Sequence, residues 1–259
     1  MFYKKRRYQR KPRKVVKKRY PRKRVSASVK KYVNRIVHRN IENKSVVTCL
    51  ANQAILTGTG GTAFYINLCP QISQGPGSNG RLGDTVTFRK CVIRGLVNLL
   101  PYSALVNFSL PVRVRIMLLS SKQQMNAVTS GIAPSFSNLF QINGSEQGFY
   151  GDVRDTLLDI NKASWILHAQ KTFNLSPTIA NCGGFAATST VWADNSKMQL
   201  PFYFDFSKHL KLARFDDGSN YITNKNLYIV ITAVAADGGS GTTQGCECHY
   251  NIRWDYEDA

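Results

Sequence analysis

Hydrophobic and polar residues alternate with a period of two in three segments, residues 112–118, 198–206 and 248–256. Their apolar positions are Val112, Val114, Ile116 and Leu118; Met198, Leu200, Phe202, Phe204 and Phe206; and Cys248, Tyr250, Ile252, Trp254 and Tyr256. A period of two is typical of a β-strand with one face in the core and the other in water. We therefore predict three strands of this kind.

Four other segments have strand-like patterns of different strength. Residues 227–236 (LYIVITAVAA) are apolar on both faces, which predicts a strand covered on both sides. Weaker patterns predict strands within residues 46–56, 63–68 and 167–175. Together with the three alternating segments, they indicate a body built of β-strands.

The apolar phase changes once within a further predicted strand. Val86 and Phe88 share a phase that Cys91 and the apolar residues after it do not. One extra residue in a strand moves every later side chain to the other face. We therefore predict a β-bulge near Arg89 and Lys90.

Glycine-rich segments separate the predicted strands, at residues 58–61, 75–83, 143–151, 181–184 and 238–245. After residue 44 no helix is convincing, except a short one within residues 155–165. About eight strands with long glycine-rich connections favour an all-β body, a single jelly-roll antiparallel β-sandwich. The predicted domain organisation is an N-terminal arm, residues 1–44, and a jelly-roll domain, residues 45–259.

The segment just before the strands has a helical pattern instead. Over residues 28–42 one face is apolar and another is basic; the positions are Val29, Val33, Ile36, Val37 and Ile41, and Lys31, Arg35 and Arg39. Ser28 is placed to cap the helix start. Two interpretations stay open: a helix docked under the domain, or a segment helical only on binding or not at all, because about fifteen residues are marginal alone.

Charge divides the chain more sharply than any other property. Residues 1–44 hold 19 Lys and Arg against one acid, Glu42, for a net charge of +18, whereas residues 45–259 hold 16 against 14, for a net charge of +2. Self-repulsion and a lack of apolar residues prevent the first 24 residues from folding alone. The arm is therefore expected to be disordered or partly helical.

A polycation of this kind binds nucleic acid by releasing condensed counterions, without regard to sequence. Aromatic residues among the charges suit stacking on unpaired bases and so favour single strands. The predicted nucleic-acid-binding residues are Lys4, Lys5, Arg6, Arg7, Arg10, Lys11, Arg13, Lys14, Lys17, Lys18, Arg19, Arg22, Lys23, Arg24, Lys30, Lys31, Arg35 and Arg39.

The same arm also has the composition of a nuclear-localisation signal. The residues assigned to that signal are Lys4, Lys5, Arg6, Arg7, Lys17, Lys18, Arg19, Arg22, Lys23 and Arg24. A signal alone needs only about five to eight basic residues, so it does not account for the whole arm. The arm lacks the apolar stretch of a secretion signal, and the chain has no run of about 18 apolar residues, so no membrane insertion is expected.

Candidate metal and catalytic motifs are weak. The six cysteines are expected to be free thiols in the cytosol and nucleus. On the predicted last strand Cys246 and Cys248 face the core, whereas His249 faces away, which argues against a zinc site. Residues 57–62 (TGTGGT) lack the Lys-Ser/Thr of a phosphate-binding loop. No cofactor or metal is expected.

Acidic and histidine residues do not form a catalytic pattern either. Asp152, Asp155 and Asp159 share a face if their segment is helical, and we interpret them as a solvated or inter-subunit charge patch. His38, His168 and His209 lie in unrelated segments, and no Ser or Cys nucleophile motif accompanies them. The sequence therefore predicts no enzyme.

Four segments of this chain resemble the capsid proteins of the circovirus-like viruses, small viruses with a circular single-stranded DNA genome that encode their own replication initiator. They are the basic opening MFYKKRRYQRKPRKVVKKRYPRKR; Arg81-Leu82-Gly83-Asp84 followed by TVTFRKCVIRGLV; LKLARFDDGSN before NLYIVITAVA; and the ending YNIRWDYED. Each is a loose pattern of residue types, and the order and the arm carry the resemblance. The arm mixes Lys with Arg, whereas circoviruses proper are Arg-dominated.

The resemblance implies a single jelly roll that assembles into an icosahedral shell of about sixty copies. It implies arms turned inward onto the single-stranded DNA genome, import receptors that recognise the arm in the host nucleus and cytoplasm, and an unidentified cell-surface receptor for the virion. Two other functions stay open: a coat protein of a small RNA virus or satellite, and a cellular single-strand-binding β-domain.

Overall fold

The computed structural model describes residues 26, 28–32, 43–57, 63–77, 79–100, 111–122, 136–176, 198–236 and 243–258. The chain divides into two units, Met1–Asn40 and Ile41–Ala259. The strands in the described residues are β1 (Asn43–Thr57), β2 (Phe64–Asn67), β3 (Thr85–Leu99), β4 (Val112–Ser121), β5 (Phe140–Ile142), β6 (Ser145–Gln147), β7 (Asp159–Ile160), β8 (Trp165–Leu175), β9 (Gln199–Asp205), β10 (Leu212–Arg214), β11 (Tyr228–Ala235) and β12 (Thr243–Asp258).

Two four-stranded antiparallel sheets form most of the second unit, and the short strand β10 pairs with the beginning of β3. One sheet has the order β1-β12-β3-β9, and the other has the order β2-β11-β4-β8. A single parallel pair, Thr57 with Ala233, links the two sheets. Strands consecutive in sequence mostly alternate between the sheets, which is the strand order of a jelly roll. The predicted all-β jelly-roll fold is confirmed.

The core lies between these sheets and contains inward residues of both. Ile93 and Trp254 come from the first sheet, and Ile116 and Ile229 come from the second; all four are buried. Burial follows the predicted period of two along β9 and β12, and every residue of β11 is buried. The three weaker strand predictions also correspond to observed strands, β1, β2 and β8.

The predicted bulge in β3 is present. Lys90 pairs with Asp255, but the next pair joins Phe88 to Tyr256, so Arg89 is the extra residue. The bulge brings Val86 and Phe88 to the buried face that Cys91 and Ile93 occupy further along. The phase change in the sequence therefore has the physical cause that was inferred for it.

The prediction of one solvated face for β4 is wrong. Arg115 and Met117 are buried, because a small sheet of order β6-β5-β7 covers this second face. A second apolar cluster forms there, containing Met117, Leu139, Phe140 and Trp165. The segment 136–165 therefore supplies a third layer over part of the jelly roll.

The buried guanidinium of Arg115 has acceptors for two of its three nitrogens, whereas its Nε is buried without a hydrogen-bond partner among the described residues. Nη1 donates to the Leu158 carbonyl at 2.7 Å, and Nη2 donates to Oε1 of Gln170 at 2.8 Å. The group also lies 5.5 Å from the centre of the Phe140 ring. Burial lowers the pKa of Arg115 from its ordinary value.

The short helix expected within residues 155–165 is not formed. A 3-10 helix, Val153–Thr156, comes first, and β7 follows it. Two glycine-rich segments also contribute strands: β6 lies inside residues 143–151, and β12 begins at Thr243. The β5–β6 turn is Asn143-Gly144 with φ values of 50° and 81°, which only glycine and a few residues such as asparagine adopt readily.

The N-terminal unit contains a helix, α1, at residues 28–32. Its cap is Ser26, whose Oγ accepts a hydrogen bond from the Val29 amide at 3.3 Å. The prediction that Ser28 caps this helix is wrong, because Ser28 lies inside it. The remainder of the predicted helix, residues 33–42, lies outside the described residues.

Candidate nucleic-acid interface and neighbouring sites

Two of the predicted nucleic-acid-binding residues lie in the described part of the chain. Lys30 and Lys31 are on α1 and are exposed, as are Val29 and Tyr32 of the same helix. The other predicted residues, from Lys4 to Arg24 with Arg35 and Arg39, lie outside the described residues. Their roles in nucleic-acid binding and nuclear localisation stay predictions.

The point where the arm meets the jelly roll is a buried polar cluster. The Nζ of Lys44 lies 3.4 Å from Oδ2 of Asp258 and donates to the Gly80 carbonyl at 3.0 Å. The Tyr256 hydroxyl donates to the same carbonyl at 3.2 Å. Asp258 also accepts a hydrogen bond from the Leu82 amide. We call this group of residues the arm root.

Arg81 lies beside the arm root and is completely buried. Its Nη1 donates to the Gly83 carbonyl and to Asp84, and its Nη2 donates to the carbonyls of Asp216 and Ser219, at 2.6–3.1 Å. The guanidinium also lies 4.7 Å from the centre of the Phe215 ring. Arg81 therefore joins the β2–β3 connection to the β10–β11 connection.

The acids of β12, most of which lie on the solvent face of the first sheet, pair with basic side chains. Each of the four acids of β12 has a basic partner: Glu247 with His249, Asp255 with Arg253, Glu257 with Arg89, and Asp258 with Lys44. Such pairs leave little net field to attract a polyanion. This local pairing agrees with the net charge of +2 beyond residue 44.

One exposed pair on this face combines a cation with an aromatic ring. The guanidinium of Arg94 lies 6.0 Å from the centre of the Tyr203 ring. Both residues are exposed on neighbouring strands, β3 and β9. A single pair is too little to form the stacking groove of a single-strand-binding domain, which uses successive aromatic residues.

His168 and His209 lie together, although the sequence separates them. Their ring centres are 4.0 Å apart, because a bulge in β8 turns His168 towards α2 (Ser207–Leu210), which carries His209. Ser120 contacts Nε2 of His168 at 2.8 Å. The interpretation that His168 and His209 are unrelated is wrong, because the fold brings their rings into contact. Local sequence patterns do not reveal a contact between residues 41 positions apart.

An open cleft of about 340 Å³ adjoins the two rings. His168, His209, Lys208 and Lys225 line it, together with Ser120 and two asparagines, Asn224 and Asn226. Burial lowers the pKa of His168 to about 4, and the neighbouring charges of His209 and Lys208 act in the same direction. Burial, Lys208 and Lys225 also lower the pKa of His209. We call this the histidine cleft.

The cysteines of β12 are core residues, as predicted. Cys246 and Cys248 are completely buried, and burial raises the pKa of each thiol to about 12. His249 lies on the opposite face, where its Nδ1 accepts a hydrogen bond from the Asn52 amide. Within the described ranges no group of three or more His, Cys, Asp or Glu is arranged to hold a metal ion.

The acidic cluster is not a shared helical face. Asp155 is buried, and its Oδ2 accepts hydrogen bonds from the amides of Tyr150, Gly151 and Asp152 at 2.7–3.3 Å. Burial raises its pKa, and these three donors oppose the change. Asp155 therefore organises its own turn. The prediction of a solvated or inter-subunit patch is wrong for this residue.

No helix in the part of the chain that the structure describes is long and apolar enough to cross a membrane. No protein-family model matches the chain, and no curated protein matches its sequence. A solved chain of desmodium yellow mottle tymovirus is similar in structure, with a TM-score of 0.35 and 6% identity. The match covers 83% of this chain and 82% of that chain. The jelly-roll assignment rests on the strand pairings themselves.

Proposed function

We propose that this chain is the capsid protein of a circovirus-like virus. It assembles with copies of itself into a small icosahedral shell and packages a circular single-stranded DNA genome through its basic arm. The observation that carries this proposal is the segregation of charge: +18 on residues 1–44 against +2 on the remaining 215 residues. A condensing polycation attached to a nearly neutral body is suited to filling a shell whose wall contacts are made by the body.

The jelly roll supports the same function. Its first strand begins at Asn43, so the arm is continuous with the sheet β1-β12-β3-β9. The arm root holds that first strand against the last through two buried charges. The arm is therefore attached to β1, a strand that pairs with β12 along nearly its whole length.

A count of charges agrees with packaging. About sixty copies bring roughly a thousand positive charges on their arms, which neutralises about half of a genome of roughly two thousand nucleotides. In this proposal the mature protein resides in the virion, and newly made copies pass through host cytoplasm and nucleus with import receptors bound to the arm. The cell-surface receptor is left unassigned.

Electron microscopy of the expressed full chain tests the proposal. We expect closed particles of uniform size that contain nucleic acid, and soluble monomers across a range of salt and pH would contradict it. Sensitivity of the extracted contents to deoxyribonuclease and not to ribonuclease distinguishes a DNA cargo from an RNA cargo. The latter result would make the chain an RNA-virus coat protein.

Two arm variants separate charge from sequence. Replacing the 14 Lys and Arg of residues 1–24 with Gln should abolish packaging and nuclear import, whereas the jelly roll should stay folded. Shuffling residues 2–24 keeps every charge and should preserve packaging, because counterion release does not depend on order. Affinity for single strands should fall with salt, with a slope of about 0.7 per neutralised phosphate in log units.

A further inference from the structure

The histidine cleft is lined by two lysines, two histidines, a serine and two asparagines, and no Asp or Glu is among its described lining residues. Among the described residues neither Lys208, Lys225 nor the ring of His209 forms an ion pair with a carboxylate, although the charge of Asp205 interacts with that of Lys208. The charged neighbours that act on His168 and His209 are also bases. No ion pair in the described part of the chain neutralises the two lysines, so their charge attracts an anion into the cleft.

The walls of the cleft are fixed by hydrogen bonds from the fold. Both ends of the Asn224 amide bind the main chain of β10, at Arg214 and Leu212. Both ends of the Asn226 amide bind the main chain of Ser121, at 2.6 and 3.0 Å. Lys225 lies between these two anchored residues, so its backbone is held in place beside α2.

Nearby carboxylates are engaged elsewhere. Asp205 precedes α2, and its Oδ1 accepts hydrogen bonds from the amide and hydroxyl of Ser207 at 3.0 and 2.6 Å. It does not line the cleft. The cleft therefore presents two ammonium groups, two imidazoles and the Ser120 hydroxyl from four separate elements, β4, β8, α2 and the loop before β11.

We propose that the histidine cleft binds a phosphate-class oxyanion, with Lys208 and Lys225 supplying charge and His168, His209 and Ser120 supplying hydrogen bonds. A tetrahedral oxyanion accepts several hydrogen bonds at once, which matches donors that converge from different elements. The anion is either a phosphate of the packaged nucleic acid or free inorganic phosphate. This site lies on the jelly roll and is additional to the arm.

Thermal unfolding of the full chain tests the site, with sodium phosphate compared with sodium chloride at equal ionic strength. Phosphate bound to an unfolded arm does not favour the folded state. Phosphate also raises Tm by exclusion from protein surfaces, so the part of the rise that the site contributes is the part lost in the lysine variant described next. Above the dissociation constant each tenfold increase in phosphate should raise Tm by about 3–6 °C. An equal Tm in the two salts would overturn the proposal.

Matched lysine variants locate the effect. K225M should lose most of the phosphate-dependent rise, whereas K162M, which removes the same charge from an exposed turn outside the cleft, should keep it. K208M, at an exposed position of α2, is the second test if K225M does not fold. Equal responses of K225M and K162M would contradict the assignment.

A short thymidine oligonucleotide distinguishes the two sources. If wild type gains stability from it and K225M does not, the cleft takes a backbone phosphate of the cargo. If only inorganic phosphate acts, the ligand is the free ion; both results support the site. If K225M changes particle yield and leaves the phosphate response intact, the cleft receives a carboxylate of a second copy, and the proposal is wrong. If the proteins form no particles, the Tm values of wild type and K225M with and without phosphate can still be compared on the unassembled subunits.

Discussion

Lys44 and Asp258 form an ion pair with 3.4 Å between Nζ and Oδ2, and their side chains are only 2% and 5% exposed. The first residues of the first strand and the last residues of the last strand are thus joined by charges that water barely reaches. Removal of one charge from such a pair is costly, because the attraction between the two charges offsets the loss of their hydration.

D258N tests this relationship. It keeps the shape of the side chain but removes the buried negative charge beside Lys44, so the free energy of unfolding should fall by about 3–5 kcal/mol. Urea denaturation of the two proteins measures the difference. D255N is the matched control, because Asp255 pairs with Arg253 at the surface and its loss should cost at most about 1 kcal/mol. Equal losses in the two variants would contradict a special role for the buried pair.

R81K tests the junction between the two connections. A lysine ammonium is a point charge that cannot reach acceptors on both connections, so we expect a loss of about 3 kcal/mol or more. Amide hydrogen exchange should also become faster near Ser219, the acceptor that is most distant from Arg81 in the sequence. R214K, at an exposed position of β10, should change stability by no more than about 0.5 kcal/mol. Wild-type exchange rates in R81K would show that the guanidinium does not join the connections.

G95A tests how closely β3 and β9 pack. A Cβ at Gly95 would lie 2.2 Å from Cζ of Phe202, the residue that pairs with it, so this position has no room for a methyl group. The variant should be destabilised by about 1–3 kcal/mol through overpacking. In the double variant G95A/F202L the smaller side chain relieves the contact, so the combined loss should be less than the sum of the single losses. If the losses of stability in the two single variants simply add in the double variant, this explanation is wrong.

Acidification should destabilise the jelly roll through His168. Its pKa is about 4 in the folded protein against 6.5 ordinarily, so between these values the unfolded chain binds more protons. The free energy of unfolding therefore rises with pH in this window and is lost as the pH falls from 6.5 to 4. H168Q should lose less stability than wild type between neutral pH and about pH 5. Urea midpoints at the two pH values measure this, and parallel losses in both proteins would contradict it.

The strands and their buried faces follow from the sequence because burial in a two-sheet sandwich repeats locally. The phase change that predicted a bulge at Arg89 needs only the neighbours of that residue along β3. The cysteines of β12 were placed correctly for the same reason. These properties depend on residues within one strand, so they appear as a periodic pattern in the sequence.

Contacts between distant segments produce no such pattern in the sequence. Arg115 looked solvated because its strand alternates, and the layer that buries it is contributed by residues over twenty positions away. The spacing of Asp155 suggested one member of a helical acidic face, but it lies in a 3-10 helix of four residues and accepts hydrogen bonds from the amides just before that helix. The histidine cleft combines β4, β8, α2 and a loop, and no periodicity within any one of them indicates the others.

The burial of the thiols has a practical consequence for chemistry at the surface. Cys69, Cys91, Cys246 and Cys248 lie in the core, whereas Cys49 is exposed on β1. Thiols held protonated by burial react slowly with electrophiles and oxidants. Among the described cysteines Cys49 is thus the exposed thiol, and a maleimide dye attached there leaves the four buried thiols of the core unmodified.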